Sequence, residues 1–105
     1  MMLRGKKLGI LLSTKPDLPA FRHGVHLANA ALSQGVDVYL YCIDDAVFGL
    51  GDPQLQGLKN QGLKLYACAY GAQRRRILLT ELATFAGLGV VHDLVGGTDR
   101  FVSFN

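Results

Sequence analysis

Short apolar runs alternate with amphipathic stretches along the chain, and that alternation predicts its elements. Lys7 to Ser13 is a near-continuous apolar run (Leu8, Gly9, Ile10, Leu11, Leu12), the pattern of a strand buried on both faces. Thr14-Lys15-Pro16-Asp17 breaks it. Pro16 keeps Lys15 out of helical angles, and Asp17 is placed to cap a following helix. From Leu18 to Gln34 the apolar residues Leu18, Phe21, Val25, Ala28 and Leu32 recur at spacings of three and four, one face of a helix. Gly35 stands where that helix should stop.

A second strand is predicted over Val36 to Ile43, rich in β-branched and aromatic residues, and Asp44-Asp45 ends it. After the short apolar stretch Ala46 to Leu50, Asp52 and Pro53 form an N-cap and first-turn pair for a helix running to about Gln61. Gly62 terminates it and leads into a third strand, Leu63 to Cys68. Ile77, Leu78, Glu81, Leu82 and Phe85 lie at helical spacing, so Gln73 to Ala86 is predicted as a helix. Val90-Val91 then reads as a short strand, His92 to Asp99 as a weak helical turn and Phe101 to Phe104 as the last strand. The alternation predicts a three-layer α/β/α sandwich with a mostly parallel five-stranded sheet, one domain over residues 1–105. In the common flavodoxin-like order strand one would lie between strands two and three.

Composition narrows the function classes. At 105 residues, with half of them apolar, the chain can bury a core without disulfides or a structural metal. Charged residues make up only 18%, which suggests surface hidden in a homo-oligomer. The net charge of +3 is local, from Arg4, Lys6 and Lys7 and from Arg74, Arg75 and Arg76. That fits an anion site rather than the broad basic face of a nucleic-acid binder, so direct nucleic-acid binding is not expected. No run approaches the ~18 apolar residues of a membrane span. Two cysteines outside any C-x-x-C or zinc pattern, and no secretion signal, suggest a cytoplasmic protein with reduced thiols. There is no Gly-x-Gly-x-x-Gly after a strand and no phosphate-loop lysine, and no cofactor is expected.

In parallel α/β sheets ligands bind beyond the strand C-termini. Ser13 and Thr14, the Cys42 to Asp45 stretch, and Cys68 with Tyr70 and Gly71 furnish that edge. Alternation puts Cys42 on a face with Val38 and Leu40, as a core residue. Cys68 ends its strand, where exposure is easier and where a following helix N-terminus favours thiolate. It reads either as a nucleophile or sulfur carrier, or as a small buried hydrophobe. Of the three arginines, Arg74 is the best placed to face the thiol, unless all three are simply solvated. In the flavodoxin-like order the two thiols would lie two strand spacings apart, about 9–10 Å. His23 and His26 lack a partner carboxylate on their helix and read as solvent-facing. His92 beside Asp93 is a weaker base candidate, Asp44-Asp45 reads as a turn, and no metal site is expected.

The segments Lys7–Thr14, Ala30–Tyr41 with Asp44-Asp45, Gly62–Cys68 and Thr98–Phe104 together resemble the DsrE-like family of small sulfur-relay proteins, including the TusD-type subunits. The resemblance runs through nearly the whole chain in order and spacing. It implies a three-layer fold and assembly into trimers or hexamers, or hetero-oligomers with homologous subunits. It also implies sulfur donor and acceptor proteins as partners, and in some members a persulfide-carrying cysteine at the end of the third strand. Cys68 matches that cysteine. Independently of the resemblance, their place at the strand C-terminal edge makes Ser13, Thr14, Tyr70, Gly71 and Arg74 the candidate anion- or ligand-binding residues. Gly87 to Gly97 is abbreviated relative to the family's helix before the last strand.

Overall fold

A computed structural model describes residues 3–105. Five strands, β1 (Lys7–Leu12), β2 (Asp37–Cys42), β3 (Lys64–Cys68), β4 (Thr84–Ala86) and β5 (Arg100–Phe104), alternate with four helices, α1 (Pro19–Ser33), α2 (Pro53–Asn60), α3 (Ala69–Arg74) and α4 (Gly89–Gly97). A 3-10 helix, Asp44–Gly49, follows β2. All strand pairs are parallel, in the order β4-β3-β2-β1-β5. The α/β sandwich expected from the alternation is the fold of the chain.

The two faces of the sheet are filled unequally. On one, α1 and α2 bury Phe21, Val25, Ala28, Leu55 and Leu58 against Ile10, Leu12, Val38, Leu40, Cys42, Leu65 and Ala67. On the other, the single helix α4 covers a smaller cluster around Tyr41, Cys68 and Leu94. Burial of apolar area is the main stabilising term, so the first face supplies most of it.

Helices α1 and α2 start and stop largely where the residue types require. Asp52 caps α2, its carboxylate accepting from Leu55 N–H at 3.1 Å with Pro53 in the first turn, and it also pairs with Arg22 of α1. Asp17 does not cap α1; Leu18 occupies that position without a side-chain bond. Both helices end in the same way. Gly35 and Gly62 take positive φ (81° and 115°), and the next residue's N–H, of Val36 or Leu63, reaches back five residues to Ala31 or Leu58. That is the Schellman ending, which favours glycine because a Cβ is strained there.

Three further expectations fail. The strand order is not flavodoxin-like: β2, not β1, lies between its neighbours β1 and β3. The Gln73–Ala86 stretch is not one helix. α3 begins directly after Cys68 and ends at Arg74, because Arg76 adopts φ 57°, Arg76 N–H bonds to Gln73 O and Ile77 N–H to Ala72 O. The chain therefore makes a third Schellman ending with arginine where glycine is usual. Residues 77–83 form a loop, and Thr84–Ala86 pairs with β3 as an edge strand. Val90-Val91 is accordingly not a strand but the first turn of α4, a nine-residue helix that carries glycine at both ends.

Candidate functional site

The C-terminal edge of β3 is built by a direct turn from strand to helix. Cys68 is at once the last residue of β3 and the N-cap of α3. Its sulfur accepts from the Gly71 N–H at 3.3 Å, in the manner of an N-cap side chain accepting from the third helical residue. A Cβ placed on Gly71 would lie 3.6 Å from the sulfur and 3.7 Å from Nη1 of Arg75. The thiol and a guanidinium therefore both lie within contact range of the Gly71 position.

That guanidinium belongs to Arg75, not Arg74. Arg75 Nε donates to Asp45 Oδ1 at 3.0 Å and Nη1 to Gly71 O at 3.3 Å, tying the end of α3 to the 3-10 helix. Arg74 instead stacks on the exposed ring of Tyr70, 5.7 Å from its centroid, with both side chains toward solvent. The early start of α3 rotates the helix relative to the expected one, and the arginine brought back over Gly71 is the residue one position later.

Ser13 and Thr14 share this edge of the sheet but lie two strands away, at the end of β1, with β2 between. Ser13 Oγ donates to Asn105 Oδ1 at 2.9 Å, while Thr14 Oγ1 is buried with no hydrogen-bond partner among the described residues. The structure therefore assembles Cys68, Gly71 and Arg75 but does not bring Ser13, Thr14, Tyr70 or Arg74 onto the sulfur.

The two thiols sit on adjacent strands rather than two spacings apart. Cys42 is in register with Ala67, so Cys68, one residue further, faces the opposite side of the sheet. Their Cβ vectors point apart, and both are free. Cys42 is fully buried among apolar side chains, and burial pushes its thiol up to about 12. Cys68 is also largely enclosed, at 6% exposure, so the easy exposure expected at a strand end is absent. Its surroundings differ in kind: a backbone donor, an arginine and a phenol.

The phenol is Tyr41 of β2, which sequence reasoning missed. It packs against Cys68 and Leu94 in the smaller cluster. Its hydroxyl donates to Ala86 O (3.0 Å) and Gly87 O (3.1 Å), the carbonyls of the residue that pairs with Cys68 and of the next one. Its pKa is raised to about 12, first by burial and then by the neighbouring Cys68 sulfur. The signal available in the sequence was alternation: Tyr41 precedes the inward Cys42 and so shares a face with Tyr39.

Other candidates stay apart. His23 and His26 are exposed on α1, and His92 and Asp93 on α4. Asp44, exposed, opens the 3-10 helix at φ 50°, a left-handed position that aspartate tolerates. Among the described residues no group of three or more His, Cys, Asp or Glu could hold a metal. A cavity of about 540 Å³ lies at the far, N-terminal edge of the sheet between Leu8, Leu27, Ala31 and Val36, remote from the thiol. A smaller cleft of about 280 Å³ lies between α4 and Tyr39 and Tyr66, on the face that carries Cys68.

The fold has parallels. The chain is similar in structure to the YchN protein from E. coli, with a TM-score of 0.80 at 16% sequence identity, over 95% of this chain and 99% of that one. At that identity the likeness concerns the fold. A comparison with curated proteins found no match. The model of the DsrE/DsrF-like family matches residues 6–104, essentially every element from β1 to β5. The chain belongs to the DsrE/DsrF-like family.

Proposed function

We propose that the protein is a sulfur carrier in which Cys68 accepts and passes on persulfide sulfur. Family membership supports a sulfur-relay role at the level of the family. The observation that carries the assignment to Cys68 is its position as N-cap of α3, with the Gly71 N–H on the sulfur and Arg75 beside it. Donors of this kind favour an anionic sulfur, whether thiolate or persulfide.

In the transfer, the Cys68 thiolate attacks the terminal sulfur of a donor persulfide. A new S–S bond forms on Cys68, the donor's S–S bond breaks, and the donor leaves as a thiol with no net redox change. Attack on the terminal sulfur of Cys68 by the next thiol repeats the exchange. Because Cys68 is largely enclosed, exchange with a partner requires the groups packed over it to move aside.

Partner proteins fit the surface around this edge. The loop between α3 and β4 carries Leu78 (80% exposed), Leu79 and Leu82, next to the three-residue edge strand β4. Exposed apolar side chains in one segment favour a protein contact, with a sulfur-transfer partner or with other subunits of a trimer or hexamer. Among the described residues no helix is long and apolar enough to cross a membrane.

Incubation with a low-molecular-weight persulfide, followed by mass spectrometry of each cysteine peptide, tests the proposal. Cys68 should gain one sulfur and Cys68→Ser should gain none while keeping its fold. Loading at Cys42 alone, or loading that survives in Cys68→Ser, ends it. A second reading, an anion- or partner-binding module without sulfur chemistry, draws on the unpartnered Thr14 Oγ1. It predicts binding that is indifferent to Cys68→Ser and weakened by Thr14→Val.

A further inference from the structure

We propose that Tyr41 is a positioning residue for the thiol, a buried switchable donor that turns its hydroxyl from the β4 carbonyls to the Cys68 sulfur when that sulfur is charged. The inference rests on the reading of Cys68 as an anionic sulfur site and names a residue that acts on it.

The geometry supplies the elements of such a switch. Tyr41 is fully buried, yet its hydroxyl is not committed to one acceptor. One proton is shared between Ala86 O at 3.0 Å and Gly87 O at 3.1 Å. A phenol has a single hydrogen to give, so neither carbonyl receives a full bond and redirecting it costs little. The alternative acceptor is adjacent: Tyr41 and Cys68 belong to the same cluster, and Cys68 pairs in register with Ala86. Gly71 N–H already occupies one side of the sulfur. A hydroxyl arriving from the sheet would supply a second donor, and hydrogen bonds to an ionised acceptor are roughly twice as strong as neutral ones. The phenol's raised pKa, caused by burial and then by the Cys68 sulfur, agrees with that contact and keeps the donor proton in place throughout the neutral range.

Other groups around the sulfur do not duplicate this role. From the end of α3 comes Arg75, held by Asp45 of the 3-10 helix. β3 contributes Tyr66 on the same face. α4 packs Val90, Val91 and Leu94 there, while its titratable His92 and Asp93 are exposed. β4 presents only Thr84, Phe85 and Ala86. On β2, Cys42 faces the other side of the sheet.

The test is reciprocal. The rate of iodoacetamide labelling at Cys68 is measured against pH in the wild type and in Tyr41→Phe, alongside circular dichroism. In parallel, ring-labelled tyrosines are titrated by NMR in the wild type and in Cys68→Ser. Tyr41→Phe should raise the midpoint for Cys68, slowing labelling roughly tenfold at pH 7 while leaving the limiting rate at high pH unchanged. Cys68→Ser should lower the Tyr41 titration, because coupling between two sites acts equally in both directions. A purely structural role for the hydroxyl would loosen β4 and speed labelling at every pH instead, which overturns the inference. An unmoved Tyr41 titration in Cys68→Ser overturns it as well, whatever the reactivity of Cys68. If wild-type Cys68 ionises below the usual thiol range and Tyr41→Phe leaves it there, the carrier reading stands and Tyr41 is excluded. If wild-type Cys68 shows no such ionisation, the carrier reading fails on its own terms, and the tyrosine titration still decides the coupling.

Discussion

Cys42 and Cys68 end neighbouring strands of one sheet, differ by a single register position, and live in different chemical worlds. Cys42 looks into the deep cluster built by α1 and α2, where every neighbour is apolar. Cys68 looks toward α4 and the start of α3, where it meets a backbone N–H, Arg75 and Tyr41. Burial is nearly equal, at 0% and 6%. What separates them is therefore not exposure but the polar groups within reach. The pleat teaches the rest: a one-residue offset between paired strands reverses the face, so adjacent thiols can be kept on separate sides of the sheet.

The strongest way to break this comparison is sulfur loading. Cys68→Ser should lose it altogether and Cys42→Ser should retain it, read by mass spectrometry of the two peptides. Loss in Cys42→Ser with loading retained in Cys68→Ser would mean that the deep cluster, not the edge, does the chemistry. Next comes alkaline behaviour. With the Cys42 thiol pushed from its ordinary 9.0 up to about 12, its thiolate fraction at pH 8 should fall about a thousandfold, and labelling with it. The sign for stability follows. A thiol whose folded pKa is raised keeps the folded state fully stable below pH 9 and withdraws that stability between pH 9 and about 12. Tyr41, raised from 10.0 to about 12 mainly by burial, adds in the same direction. Denaturant melts at pH 8 and pH 11 should show the loss, and Cys42→Ala should reduce it.

Packing gives a third contrast. Cys42→Ala opens space in the dense cluster and should cost about 1–3 kcal/mol, whereas Cys68→Ala, in the smaller cluster under α4, should cost less than about 1 kcal/mol. Urea unfolding of the two variants compares them. Arg75→Ala tests the charge beside Cys68: labelling there should change several-fold, with Cys42 unaffected, while Arg74→Ala, which removes only an exposed stack on Tyr70, should leave both alone. The smallest effect expected is at the end of α3. Arg76→Gly relieves a left-handed arginine and should be neutral or stabilising, by up to about 1 kcal/mol in the same melts.

Arg76 also explains where the sequence misleads. Gly35 and Gly62 announce the ends of α1 and α2, and both ends fall as the residues indicate. The third end has the same hydrogen bonds but an arginine at the turn, followed by Ile77, Leu78, Glu81, Leu82 and Phe85 at helical spacing. Local pattern therefore predicts a helix through a stretch that instead turns at Arg76 and pairs Thr84–Ala86 with β3. Each pairing partner lies eighteen residues away, beyond the reach of any periodicity. The same holds at the site. Cys68 and Gly71 were legible because the strand-to-helix turn is local, whereas Arg75 and Tyr41 were not. One depends on where α3 begins and the other on which strand lies beside β3.

Alternation of apolar runs, amphipathic stretches and turn residues by itself determined the α/β class, the extents of β1, β2, β3 and β5, both glycine endings and the inward face of Cys42. These are properties of neighbours in sequence, set by the periods of two and 3.6 residues and by backbone sterics. Only the tertiary structure decided the strand order β4-β3-β2-β1-β5, and with it that Tyr41 lies under Cys68 and that Ser13 and Thr14 lie two strands away. Every arrangement of parallel strands satisfies the same local pattern. The choice among them is made by long-range packing, here α1 and α2 on one face and α4 alone on the other.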